Sequence, residues 1–233
     1  MVNVTLTIWE AIAPMTDPER ILALSYAPPS QRAGVSALFA LDDALAAVLR
    51  TTSEPMIGQM RLTWWHEALS RLDSGVVPAE PVLATLAAEV IPHGISGARL
   101  ADMIDAWEVL LDPDLPDDAT LEQYAARGVI LFGAAGSLLG IPPSDPVAPA
   151  GRGWALADLA RHIQDADVAR RALGLAQGPL AAATAARWSR AGRPLGALAH
   201  LARLDLAVPL GEAIARGAPR RVWRVLIHRL SGR

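Results

Sequence analysis

Residues 35–72 read VSALFALDDALAAVLRTTSEPMIGQMRLTWWHEALSRL. Val35, Leu38, Leu41, Leu45, Val48 and Leu49 recur at spacings of three and four, so one stripe of a helix is apolar. Glu54-Pro55 opens a second helix, because proline fits the first turn. Met56, Met60, Leu62, Trp64, Trp65, Ala68, Leu69 and Leu72 give that helix a wide apolar face, and Ser74-Gly75 ends it. Two amphipathic helices joined by a short break at 51–55 are the unit from which the fold is read.

The same period runs outward in both directions. The 233 residues are 52% hydrophobic, with only two Phe and two Tyr, and no segment alternates with the period of a strand. An all-α protein follows. Thr16-Asp17-Pro18-Glu19 is a helix start, and the helix stops before Pro28-Pro29. Further helices are expected at 29–50, 55–74, 79–91, 96–111, 120–140, 153–173, 179–190, 194–204, 208–216 and 219–230. Residues 1–15 read as a loose leader and 141–153, IPPSDPVAPAGRG, as the clearest loop. No internal repeat or domain boundary interrupts 1–233, so one domain is expected.

Composition excludes several classes. Cysteine is absent, which removes disulfides and thiolate metal sites and fits a cytoplasmic protein. The N-terminus lacks a basic region followed by a long apolar run. The uncharged stretch from Gly128 to Ser144 is shorter than the roughly 20 residues of a spanning helix and holds four Gly and two Pro. Lysine is absent altogether, and the net charge of −3 gives no reason to expect nucleic acid as a partner.

Several pieces together resemble the squalene/phytoene synthase family. They are Ser25-Tyr26, Pro28, Arg32, ALFAL at 37–41, EPMIGQMRLTWWHEAL at 54–69, Tyr124 with the glycine-spaced helix to LLG at 138–140, and GWALADLARHI at 153–163. They stand in the family's order over roughly 17–175; the C-terminal fifth matches poorly. The resemblance is to a short divergent branch, similar to relatives that act in respiratory complex I assembly. It implies an all-α, isoprenoid-synthase-type bundle around a central apolar cavity. It also implies a Mg²⁺-dependent transferase that joins isoprenyl diphosphates head to head in isoprenoid biosynthesis. Two helices facing across the cavity would each carry an Asp-x-x-x-Asp motif, because side chains at i and i+4 share a face. Mg²⁺ held there would neutralise the departing diphosphate.

The motifs are degenerate in this chain. With Phe39-Ala40-Leu41 as anchor, the leading acids of the first motif fall on Ala46-Ala47 and the acid one turn later on Arg50. Asp42 and Asp43 sit one turn too early, and at most one can face a given site. With Gly153 and Ala155 as anchors, the second motif falls on Ala157, Ala160 and Gln164. Asp158, His162 and Asp165 share a helical face there instead. Candidate ligand or diphosphate residues are therefore Tyr26, Arg32, Asp42, Asp43, Arg61, Trp65, Asp158, His162 and Asp165. Asp42, Asp43, Asp158 and Asp165 are the weak metal candidates, and Mg²⁺ is the cofactor only if prenyl transfer survives. For Asp42/Asp43 the competing role is an ion pair with an arginine of a neighbouring helix. For Trp64 and Trp65 it is packing.

The segment PRRVWRVLIHRLSGR at 219–233 holds five Arg and no acid, with Val222, Leu226 and Leu230 on one stripe. It is a basic amphipathic helix that would touch an anionic membrane or cap the bundle. Three functions remain open. The first is a family scaffold with lost or altered prenyl transfer, which binds an isoprenoid or other lipid or acts in assembly with a protein partner. The second is an active prenyltransferase with displaced ligands. The third is a structural helical interaction module. The expected location is the cytoplasm, with peripheral contact to the inner membrane.

Overall fold

The computed structural model describes residues 17–52, 54–112 and 114–233. The expected leader at 1–15 and Thr16 lie outside them. Among the described residues every regular element is helical: α1 (Pro18–Leu24), α2 (Pro29–Thr51), α3 (Pro55–Arg71), α4 (Pro81–Glu89), α5 (Gly97–Glu108), α6 (Asp118–Leu138), α7 (Val147–His162), α8 (Ala166–Ala185), α9 (Arg193–Asp205) and α10 (Pro219–Ser231). Five of them open on proline, which fixes φ where an N–H would lack a partner anyway. Asp17 caps α1 by accepting from the Glu19 and Arg20 amides. Gly75, at φ 78°, closes the turn after α3.

Several boundaries depart from expectation, and the helix foreseen at 179–190 is the end of α8, which runs unbroken from Ala166 to Ala185. The helix foreseen at 153–173 is two helices: Ile163 is extended, and Asp165 caps α8 by accepting from the Asp167 and Val168 amides. The loop foreseen at 141–153 ends early, because Val147 already begins α7 and Pro149 is tolerated in its first turn. The stretch 208–216 forms turns rather than a helix.

The core is aliphatic and alanine-rich, and α6 and α7 approach most closely at Gly128 and Gly151. A β-carbon on Gly128 would stand 2.1 Å from the Gly151 carbonyl oxygen, and one on Gly151 equally close to the Gly128 oxygen. Gly128→Ala therefore has to push two helix backbones apart. The expected cost is about 3 kcal/mol or more, at or above the upper end for overpacking. Urea denaturation reads it, and a loss under about 1 kcal/mol would mean the helices slide freely.

Two helices orient in ways that periodicity alone does not fix. On α3, Leu62, Trp65, Ala68 and Leu69 are buried, but Met56, Met60 and Trp64 are exposed. Not all of the wide apolar face finds a partner within the bundle. On α10, which the sequence left open between membrane contact and capping, the inward residues are Arg221, Val225 and His228, while Leu230 is exposed. Arg221 reaches inward to Glu19 of α1 at 2.7 Å and to Asp205 of α9 at 2.6 Å. A buried ion pair rotates the helix away from its purely hydrophobic orientation.

Candidate functional site

The acids that could hold a metal lie on α2 and α7, and an arginine from α6 stands between them. Arg127 Nη1 donates to both oxygens of Asp42 at 2.7 and 2.6 Å, and Nη2 donates to Asp158 Oδ2 at 2.5 Å. Arg127 is 0% exposed and Asp42 3%. Asp158 keeps 30% of its side chain exposed. The guanidinium carbon lies 4.5 Å from the Trp107 ring centroid, 4.7 Å from Tyr124 and 5.0 Å from Trp154. Aromatic faces attract a desolvated cation, so three rings and two carboxylates hold one charge.

The neighbours extend this network. Asp43 points the other way from Asp42 and takes a bidentate pair from Arg20 of α1, with Nη1 to Oδ1 at 2.8 Å. His162 Nδ1 lies 2.8 Å from the main-chain carbonyl of Asp158 and 3.5 Å from its carboxylate. Behind Arg127, Trp154 packs against Phe132 at 5.4 Å and Phe39 at 5.8 Å between ring centroids.

The electrostatics follow from burial and pairing. Burial pushes the Asp42 carboxyl upward, and Arg127 opposes that rise. Burial would also raise Asp158, but His162 and then Arg127 outweigh it and hold the carboxyl below its ordinary value. Burial would lower Arg127, yet the surrounding charges, Asp42 foremost, raise it further. The Tyr124 hydroxyl is pushed well up by burial.

These residues do not fit Mg²⁺. A divalent ion needs free carboxylate oxygens and open positions for water and phosphate. Both Asp42 oxygens already accept from Arg127, Asp158 shares the same guanidinium, and Asp43 is taken by Arg20. Among the described residues no group of three or more His, Cys, Asp or Glu is arranged to hold a metal ion.

The remaining candidates are dispersed. Asp165 is severed from Asp158 and His162 by the break at Ile163, so the one-face trio does not form. Arg61 does not lie over Trp65; it donates to the hydroxyls of Thr51 and Thr52 at 2.9 Å and ties α3 to the end of α2. Trp65 is buried edge-to-face against Trp64 at 5.3 Å. Arg32 donates to the Ser25 and Ala27 carbonyls and fixes the α1–α2 turn. Tyr26 lies under Arg229 of α10, 4.7 Å from the guanidinium carbon. A shallow groove of about 220 Å³ on α6 and α7, lined by Ala125, Val129 and Ile130 and rimmed by the Glu122–Arg152 pair, is smaller than the roughly 300–1,000 Å³ of most ligand pockets.

Sequence reasoning brought Asp42 and Asp158 forward and missed the residue that joins them. Its signal was present: Arg127 is the only charged residue between Glu122 and Asp145. A lone arginine on an apolar helix needs a buried acid.

These helices form an all-α bundle of the isoprenoid-synthase type. The squalene/phytoene synthase family profile matches residues 14–178, and the chain belongs to that family. The fold is also that of a dehydrosqualene synthase whose crystal structure was determined in complex with a ligand. That likeness has a TM-score of 0.68 and 16% identity, and covers 91% of this chain and 90% of the other. No curated protein matches the chain.

Proposed function

We propose that this chain is a squalene/phytoene synthase-family protein in which Mg²⁺-dependent prenyl transfer is lost, and which binds an isoprenoid or other lipid without condensing it. The observation that carries the reading is Arg127 on Asp42 and Asp158. A fixed guanidinium neutralises the carboxylates that a metal would need. It cannot leave with diphosphate or admit water as a Mg²⁺ ion does. Lipid binding is supported by the family and by the dehydrosqualene synthase structure, which contains a ligand.

The test is direct. Purified protein with farnesyl or geranylgeranyl diphosphate and Mg²⁺ is expected to release no diphosphate above a protein-free control. Native mass spectrometry of freshly purified protein is expected to find a co-purifying lipid. Mg²⁺-dependent diphosphate release would restore the active prenyltransferase with Asp42 and Asp158 as its ligands. A second reading, a role in assembly with a protein partner, is favoured by the exposed Met56, Ile57, Met60 and Trp64 of α3. If no lipid co-purifies and a partner covers those residues, that reading replaces the first.

A further inference from the structure

The near-neutral total charge conceals a strong polarity. Residues 168–233 hold twelve arginines against two acids, Asp205 and Glu212, a net charge of +10. Residues 1–167 hold nine arginines against 22 acids, a net charge of −13. Asymmetry of this size between two parts of one chain points to a charged partner for the basic part.

The fold gathers much of that charge around α10. Arg187 donates to the Ser231 carbonyl and Arg193 to the Arg229 carbonyl, so the α8–α9 connection lies against the end of α10. Arg187, Arg190, Arg193, Arg220, Arg229 and Arg233 make no ion pair with a carboxylate among the described residues. Arg216 and Arg221, by contrast, are spent on Asp17, Glu19 and Asp205 inside the structure.

An apolar crest runs along the middle of this basic surface. Trp223, Ile227 and Leu230 stand at i, i+4 and i+7 on the outer face of α10, with Trp223 65% and Leu230 81% exposed. The buried Arg221 and His228 on the inner face hold the helix in that rotation. A tryptophan and two aliphatic side chains projecting from a rim of arginines match an acyl boundary beneath anionic headgroups. Nucleic acid would use the arginines but leave Ile227 and Leu230 in water. The exposed stripe of α3 is as apolar but belongs to the acidic part of the chain, with Glu54, Glu67 and Glu108 nearby in sequence or contact.

We propose that α10 and the adjoining α8–α9 connection form a docking surface for anionic lipid bilayers, with Trp223, Ile227 and Leu230 entering the interface and the arginines meeting the headgroups. This goes beyond the loss of prenyl transfer and does not depend on it. The surface selects by charge: at about 1 kcal/mol per basic residue near an anionic membrane, each lost arginine weakens binding about fivefold.

Co-sedimentation of the full chain with vesicles tests it. Phosphatidylcholine vesicles are compared with vesicles containing 30% phosphatidylglycerol, at low and high salt. Binding is expected only to the anionic vesicles and to weaken with salt. Arg220→Glu/Arg233→Glu should weaken it at least tenfold, and Leu230→Ser should weaken it at constant charge. Circular dichroism checks that each variant folds. Met60→Ser on α3 should leave binding unchanged. Equal binding to both vesicle types, no binding to either, or loss only with Met60→Ser overturns the proposal. So does binding of double-stranded DNA that Leu230→Ser leaves intact while vesicles fail to bind.

Discussion

Arg127→Met is expected to lower the stability of the folded chain by about 3–5 kcal/mol, the cost of leaving a buried charge without its partner. Methionine fills much of the arginine's volume, so the loss reports charge rather than a cavity. Asp42 is the residue harmed, because both of its oxygens bond to Arg127 and it is otherwise out of contact with water. Adding Asp42→Asn to the same chain should recover a large part of the loss, since the unpaired charge is gone. The pH dependence contributed by Asp42 should also grow, with its sign unchanged. Without Arg127 the Asp42 carboxyl, already raised by burial, rises further. The folded state then binds more protons than the unfolded state from about pH 4 upward, so the variant gains stability as pH falls from 7 toward 4. A millimolar divalent cation should raise the melting temperature of Arg127→Met and not of the wild type, because Asp42 and Asp158 now face each other without a guanidinium. Chemical denaturation across pH, with and without CaCl₂ or MgCl₂, measures all three. A loss below about 1 kcal/mol with no response to pH or cation would mean that Arg127 does not clamp these acids.

The same cluster explains which parts of the protein were legible in its sequence. The helices of 29–72 were read correctly because their signals are local: a three-and-four period, prolines at N-termini and Gly75 at the end. The break between α7 and α8 was missed because one extended residue, Ile163, leaves no mark in a period, although Asp165 is a good cap. Asp42 and Asp43 were correctly limited to one residue per site, since neighbours on a helix diverge, and each found its own arginine. The identity of those arginines was not legible. Arg20 lies 23 positions from Asp43 and Arg127 lies 85 from Asp42, and only the packing of α1, α2, α6 and α7 joins them. The orientation of α10 was not legible either. A hydrophobic period expects the aliphatic stripe inside, but Arg221 carries more interaction than Leu230 could and turns the helix to suit itself.

Acidification should loosen the C-terminal part of the bundle before the rest, and His228 sets the window. It lies on the inner face of α10 with its ring 4.7 Å from His200 of α9 and 6.4 Å from Trp188. The charged side chains that act on the pair, Arg224 and Arg193, are both cationic. Burial, with Arg224 adding to it, pushes His228 down to about 4; burial and His228 itself push His200 down to about 3. The unfolded chain takes up these protons near pH 6.5, whereas the folded chain resists them until about pH 4. Between those values the unfolded state holds more protons, so stability rises with pH and is lost as pH falls through the window. For His228 the loss is on the order of 3 kcal/mol, with His200 acting in the same direction through the same window and on down to about pH 3. His228→Leu cannot charge, so its stability should decline less steeply than the wild type's from pH 6.5 to 4, and the two curves should converge or cross on the acid side. Carboxylates shifted by their own contacts, such as Asp158, titrate in both proteins and cancel in the comparison. Parallel curves would show that the pair is not buried against water as this packing requires. Converging curves with early loss of the Trp188 signal would place the first opening at the α9–α10 contact, directly beneath the helix whose outer face carries Trp223 and Leu230.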